Sequence, residues 1–127
     1  MTAGALAAVA VGAVLGAWLR WALGIRFNGV LAHLPLGTLI ANAVGGYLVG
    51  IAVAWFAQHP DASPELRLFV VTGFLGALTT FSTFSAEAVG LLMRQQYGWA
   101  IVHVSAHLGV SVLLTILGIL TVKTLRA

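Results

Sequence analysis

The sequence predicts an all-α integral membrane protein with four transmembrane helices. Of its 127 residues, 61% are hydrophobic and only 7% are charged, whereas about 25% of residues are charged in a typical soluble domain. A helix needs about 20 apolar residues to cross the hydrocarbon, so four spans use nearly the whole chain. We therefore expect one multi-pass domain over residues 1–127, embedded in a lipid bilayer.

The charges of the chain are typical of a membrane surface. The formal net charge is only +3, and the arginines and the lysine flank the apolar segments, so they indicate contact with lipid headgroups and no nucleic-acid partner. No basic residue precedes the first apolar segment. We therefore expect that segment to be a retained span and not a cleaved signal peptide.

Hydropathy places the first span at about Ala3 to Leu23 and the second at about Leu36 to Ala57. The loop between them is expected to hold Arg26, Asn28, His33 and Pro35. Small residues at four-residue spacing allow helix backbones to approach closely. They pack helices either within one subunit or between subunits, and they are Ala8, Gly12 and Gly16 in the first span and Gly46 and Gly50 in the second.

The third span is expected from about Glu65 to Met93 and the fourth from about Trp99 to Val122. A polar turn over residues 59–65 precedes the third span, where Pro64 and Glu65 suit a helix start. Glycines and hydroxyl residues near Gly76 to Thr80 predict a break in the middle of the membrane. Backbone groups freed there need protein or a water-filled cavity as a partner, so the break indicates a pathway.

Lys and Arg residues are shared equally between the two membrane faces. Orientation follows the Lys and Arg bias of short loops, so a balanced count predicts insertion both ways up. The closed assembly expected of opposed copies is an antiparallel homodimer. Alternatively, Arg20 lies within the first span and does not count as a loop charge. The residues on one face are Arg20, Arg26 and Arg94, and those on the other are Arg67, Lys123 and Arg126.

Polar residues inside the spans are costly and tend to face the bundle interior or a cavity. The second span carries Thr38 and Asn42 four residues apart, and Asn42 is either a hydrogen-bonding link between helices or an ion ligand. The fourth span carries a stripe at successive intervals of four. A lined path is one interpretation of the stripe, and hydroxyls bonded to their own helix are another. Its members are His103, His107, Ser111 and Thr115.

Two phenylalanines in the third span, Phe81 and Phe84, lie on one helical face. Apolar rings usually belong to a core, but the positive edge of an aromatic ring can also meet an anion without a fixed charge that would trap it. Thr80, Thr83 and Glu87 form a neighbouring stripe. Glu87 is either part of a pathway wall or the partner of an arginine.

These residues together resemble a known family, the Fluc (CrcB) fluoride channels. The motif that carries the resemblance is Gly76-Ala77-Leu78-Thr79-Thr80-Phe81-Ser82-Thr83-Phe84-Ser85, together with the upstream Asn42. The resemblance implies a passive, highly fluoride-selective channel of the bacterial inner membrane that exports cytoplasmic fluoride and is not an enzyme. It also implies an antiparallel dual-topology homodimer with two pores and one structural sodium ion at its centre.

The resemblance assigns roles to individual residues. Main-chain carbonyls of Gly76 and Thr79 from each subunit would hold the sodium ion. Asn42 would donate to fluoride beside the two phenylalanine rings. The fourth-span track in the family commonly begins with tyrosine, and the match here begins with histidine. The residues expected along the fluoride pore are Asn42, Phe81, Phe84, Ser82, Thr83, Thr80, Thr38, His107, Ser111, Thr115, Glu87 and Arg20.

The main alternative is a small dual-topology proton-coupled transporter for multidrug cations, which also has four spans. Such transporters use a glutamate in the first span, and this first span has none. A third class, a subunit that assembles without transporting, would account for the small-residue faces. It would not account for the cluster of hydroxyls and phenylalanines.

Overall fold

The computed structural model describes residues 1–126, and all of the regular secondary structure in that range is helical. Helix α1 spans Ala3–Phe27 and α2 spans Leu36–Gln58. Helix α3, residues 64–78, joins an α-turn (Pro64–Arg67), a π-helical stretch (Leu68–Leu75) and a second α-turn (Gly76–Leu78). Helices α4 and α5 span Ser82–Met93 and Tyr97–Arg126.

Four segments of the described chain are long and apolar enough to cross a membrane, as the hydropathy predicted. They are Ala3–Phe27, Leu36–Gln58, Pro64–Met93 and Tyr97–Arg126, with α3 and α4 together forming the third. The protein is therefore a multi-pass, all-helical membrane protein.

Two helices are longer than predicted, and each has basic residues in its last turn. Helix α1 continues to Phe27, so the expected loop position of Arg26 is wrong: Arg26 lies in the last helical turn, with its guanidinium 5.1 Å from the centre of the Phe27 ring. Helix α5 likewise continues past Val122, with Lys123 and Arg126 in its last turn. Cations are favourable there because the C-terminal end of a helix carries partial negative charge.

The third span begins at Pro64, as its sequence predicted, and Ser63 caps it. The Ser63 hydroxyl accepts a hydrogen bond from the Leu66 N–H at 3.1 Å, Pro64 occupies the first turn and Glu65 lies beside it. The cap satisfies a backbone donor at the helix end, and the carboxylate suits the positive end of the helix dipole.

The spaced glycines pack helices of the same chain against one another. A Cβ added to Gly12 would meet the Phe69 carbonyl of α3, and one added to Gly50 would meet the Thr115 carbonyl of α5. Gly118 of α5 is equally close to the Tyr47 carbonyl of α2. The glycines therefore bring α1 onto α3 and α2 onto α5 with their backbones in contact.

The outer surface of the bundle is apolar, and its buried core is small. Core residues on α2 and α3 include Ala41, Leu75 and Leu78. Large side chains elsewhere remain exposed, among them Trp18 at 63% and Ile101 at 68%. This is the pattern expected of a protein whose surroundings are lipid.

Candidate functional site

The site is built around residues 79–81, which lie outside any helix between α3 and α4. Thr79 has an extended backbone, with φ −86° and ψ 154°. In a continuous α-helix each N–H bonds to the carbonyl four residues earlier, and an extended residue breaks that series. The backbone groups of this interruption consequently need other partners.

Asn42 on α2 bridges the interruption with both ends of its amide. Its Oδ1 accepts from the Thr80 N–H at 2.8 Å, and its Nδ2 donates to the Thr80 carbonyl at 3.0 Å. Nδ2 also donates to Nδ1 of His107 at 3.1 Å. Asn42 therefore links α2, the interruption and α5.

Arg20 on α1 contacts the other side of the interruption. Its Nε donates to the Ala77 carbonyl at 2.9 Å. Further along, the Thr80 hydroxyl accepts from the Thr83 N–H at 3.1 Å and so caps the start of α4. The Ser82 hydroxyl, on the exposed side, lies 3.4 Å from the Thr80 hydroxyl.

Two carbonyls at the interruption lose their regular helical donors. In a continuous helix the Thr80 N–H would bond to the Gly76 carbonyl, but it donates to Asn42. The Thr83 N–H would bond to the Thr79 carbonyl, but it donates to the Thr80 hydroxyl. The carbonyls of Gly76 and Thr79 are thus available to another ligand.

Four rings gather beside the interruption. Phe84 lies 5.6 Å from Phe81, 5.1 Å from His103 and 4.7 Å from His107, measured between ring centroids. His103 and His107 are 4.5 Å apart. The two histidines are buried, at 0% and 4% exposure, whereas the Phe81 ring is 79% exposed.

An open groove with a volume of about 600 Å³ runs along these rings. Apolar residues of α5, such as Val104 and Leu108, complete its wall. The structure thus brings together in one groove most of the residues that the sequence suggested for the pore. Those residues are Asn42, Thr80, Phe81, Phe84, His107, Ser111 and Thr115.

Two smaller cavities adjoin this groove through shared wall residues. Thr80 belongs both to the groove and to a cavity of about 330 Å³ that Arg20 and Thr38 also line. Thr83 belongs both to that cavity and to one of about 380 Å³ that Glu87 and Arg94 also line. The three spaces therefore form a series along the interruption.

Glu87 pairs with a hydroxyl and a histidine. Its Oε2 accepts from the Thr38 hydroxyl at 2.7 Å, and its Oε1 lies 3.6 Å from Nε2 of His103. Within residues 1–126, no arginine lies within ion-pair distance of Glu87. Within the described chain Glu87 therefore has no arginine partner, and its carboxylate lies in a cavity wall.

The hydroxyl of Thr115 bonds to backbone carbonyls, as the helix-bonding alternative expected. Its single O–H is shared between the carbonyls of Ser111, at 2.9 Å, and Gly46, at 3.0 Å. Thr115 therefore ties α5 to α2 while its side chain lines the groove. Ser111, one turn earlier, is half-buried in the same wall.

Sequence reasoning missed two residues of the site. His103 was noted only as part of a stripe, yet it lies between the Phe84 ring and Glu87, with Nε2 3.3 Å from the Phe84 carbonyl. Its spacing of four from His107 was the available signal. Asn28, whose Oδ1 accepts from the Thr38 N–H at 3.1 Å, gave no signal, because only the folded chain brings the two together.

Comparison with other proteins gives a consistent result. The sequence model of the family described as CrcB-like protein, Camphor Resistance (CrcB), matches residues 7–119. A protein of Nitrosospira multiformis named fluoride-specific ion channel FluC is 57% identical over 121 residues, covering 95% of this chain and 94% of the relative. Relatives with the same name in Cupriavidus metallidurans (55% identical over 118 residues, 93% and 94% covered) and Pseudomonas paraeruginosa (53% over 116 residues, 91% of each) are also similar.

Proposed function

The chain belongs to the CrcB family, and we propose that it is a passive, fluoride-specific channel that exports cytoplasmic fluoride across the bacterial inner membrane. The observation that carries this function is the groove in which aromatic rings, hydroxyls, an amide and an imidazole meet beside an interrupted helix. Conduction through such a groove forms and breaks no covalent bond, so the function is not enzymatic.

The groove offers an anion neutral contacts. A small anion holds its water strongly and gives it up only for replacement donors. Hydroxyls are donors, and the edges of Phe81 and Phe84 carry partial positive charge. Neutral partners bind an anion moderately, so it can also leave, as conduction requires.

The series of three spaces supports a continuous route. The ion would pass from the cavity of Arg94 and Glu87, by way of Thr83 and Thr80, into the groove of the phenylalanine rings. Arg20 lies at the interruption, where its positive charge favours an anion. Ser82 and Ser111 would contribute hydroxyls along or beside this route. Thr38 and Thr115 would lie beside it, with their hydroxyls donating to Glu87 and to backbone carbonyls.

A sodium ion fits the freed carbonyls of Gly76 and Thr79. Hard cations prefer oxygen ligands, and the N–H groups that would engage these two carbonyls in a helix donate elsewhere. The same pair from a second subunit would complete a set of four. The ion would supply positive charge that holds the two interruptions together, with no direct part in fluoride movement.

The assembly we propose is an antiparallel homodimer with two pores and with the interruptions near the middle of the membrane. The groove is open, and Phe81 projects from the single chain with 79% of its surface exposed. A second copy would close the groove. Two-fold symmetry then places every pore residue twice in the dimer.

Efflux from liposomes tests this function. Purified protein is reconstituted with internal fluoride or chloride, and a potassium ionophore starts efflux, which ion-selective electrodes record. Fast fluoride efflux without chloride efflux is the expected result. A correctly folded protein that released neither anion would overturn the channel assignment and favour the proton-coupled cation transporter, in which Glu87 would carry the proton.

A further inference from the structure

The backbone of the interruption fixes the orientation of the Asn42 amide. The Thr80 N–H can only donate, so the Asn42 atom 2.8 Å away is the oxygen, Oδ1. The Thr80 carbonyl can only accept, so the Asn42 atom 3.0 Å away is the nitrogen, Nδ2. Turning the amide over would set donor against donor and acceptor against acceptor.

The Asn42 amide in turn fixes the proton on His107. Nδ2 lies 3.1 Å from Nδ1 of His107, and an amide nitrogen can only donate. Nδ1 therefore accepts, and a neutral imidazole that accepts at Nδ1 carries its proton on Nε2. We infer that Asn42 is a positioning residue that holds His107 as a neutral Nε2–H donor to the permeating anion, an inference that rests on the proposed function.

The Nε2–H group needs the acceptor that an anion would supply. His107 is 4% exposed, and within the described chain its Nε2 is buried without a hydrogen-bond partner. A buried donor without a partner is costly. The ring of His107 lines the same groove as Phe81 and Phe84, so an anion that entered beside this ring is the acceptor that we propose for the buried Nε2–H group.

A metal cation is a poorer occupant of this position. Glu87, His103 and His107 each offer a ligand atom within 4.8 Å of the others, and two imidazoles with a carboxylate are a set that zinc can use. A metal needs a nitrogen lone pair, but Nδ1 of His107 accepts from Asn42 and Nε2 carries the proton. Zinc could bind His107 only after the Asn42 hydrogen bonds had broken.

Asn42 does not need to touch the anion to control its passage. Both of its N–H groups already have partners within the chain, in Thr80 and His107. The nearby Glu87 carboxylate opposes an anion at His107 and limits how tightly it is held. The donor at His107 and the carboxylate together give a site that an anion can enter and leave.

Nitrogen NMR of the full-length protein in lipid tests the tautomer directly. With ¹⁵N-labelled histidine, His107 is expected to show a protonated Nε2 and an unprotonated Nδ1, and fluoride but not chloride should shift the Nε2–H resonance. Asn42→Asp sets an acceptor against Nδ1 and should move the proton onto that nitrogen. A protonated Nδ1 in the wild-type protein, or a Nε2–H that fluoride does not shift, would overturn the inference.

Two substitutions at His107 distinguish the roles of its two ring nitrogens in the efflux assay. His107→Gln places an amide N–H near the position of Nε2 and should keep fluoride efflux within about 3-fold of wild type. His107→Asn keeps an acceptor for Asn42 but has no donor at Nε2, and it should lower efflux about 10-fold or more. His59→Gln, outside the groove, is the control and should have no effect.

The outcomes distinguish this inference from the proposed function. A folded wild-type protein that conducts no fluoride overturns the proposed function. Selective wild-type efflux with equal rates for His107→Gln and His107→Asn overturns only the role of the Nε2–H.

Discussion

Phe81 and Phe84 are three residues apart in sequence but sit in different surroundings. Phe84 packs against both histidines, with ring centroids 5.1 and 4.7 Å away, whereas Phe81 is 79% exposed and touches the cluster through Phe84. A core role alone would not leave a ring so exposed beside an open groove. Both rings nevertheless line that groove.

Replacing either ring should slow the ion with little loss of stability. Phe81→Ile or Phe84→Ile keeps an apolar side chain but removes the positive ring edge, so fluoride efflux is expected to fall about 10-fold or more while assembly in detergent is unchanged. Phe69→Ile, outside the groove wall, is the matched control. Wild-type efflux in both pore variants would disprove the role of the ring edges.

Asn42→Asp should abolish fluoride efflux. The carboxylate sets an acceptor against the Thr80 carbonyl, cannot donate to His107, and adds negative charge beside an anion route. Size-exclusion chromatography checks assembly, and Asn42→Ser, which keeps a smaller donor, should retain partial efflux. Near-normal efflux for Asn42→Asp would show that Asn42 only links helices by hydrogen bonds and has no role in anion movement.

At the residue level the sequence predicted which residues line the groove better than it predicted the contacts between them. Spacing and motif named Asn42, the two phenylalanines and the α5 stripe, and the groove contains all of these except His103. Asn42 and Thr80 are 38 residues apart, and Asn42 and His107 are 65 apart. Hydrogen bonds over such separations arise from the packing of α2 against α3 and α5, which periodicity within one helix does not encode.

At the scale of helices, glycine spacing decides which pairs approach most closely. Gly50 and Gly118 let the backbones of α2 and α5 touch, and Gly12 does the same for α1 and α3. Hydropathy located these helices well. Hydropathy did not predict the π-helical stretch at Leu68–Leu75. A π-helix has a wider turn than an α-helix, and a segment that is apolar throughout shows no periodicity from which the width of its turns could be predicted.

Gly50→Ala should destabilise the bundle. Its added methyl group would meet the Thr115 carbonyl and the Ile119 N–H, and overpacking of this kind costs about 1–3 kcal/mol. Gly109→Ala is the matched control, because nothing lies within 4 Å of a Cβ at that position. Thermal unfolding in detergent measures both, and equal midpoints would show that α2 and α5 are not tightly packed.

At the scale of the whole molecule, the balance of positive charge governs orientation. Arg20 is engaged with the Ala77 carbonyl inside the bundle, which supports the alternative that it does not count as a loop charge. Two positive residues then lie on one side of the membrane and three on the other. The first two are Arg26 and Arg94, and the other three are Arg67, Lys123 and Arg126. The bias remains small, so insertion in both orientations is still the expectation.

Labelling of introduced cysteines measures that orientation. The chain has no cysteine, so Asp61→Cys, in the exposed turn between α2 and α3, is the only thiol in its variant. An impermeant maleimide is expected to label about half of the molecules from each side of the membrane. Leu113→Cys, on an apolar surface of α5 outside the groove, is the unlabelled control, and labelling of Asp61→Cys from one side only would exclude dual topology.

The partners of the interrupted helix also have a defined order of synthesis. Arg20 and Asn42 precede residues 79–81 in the chain, and a chain is synthesised from its N-terminus. When the interruption leaves the ribosome, the side chains that satisfy its Ala77 carbonyl and its Thr80 N–H have therefore already been synthesised. His107 emerges later, so Arg20 and Asn42 can form their hydrogen bonds with the interruption before α5 brings the imidazole to Asn42.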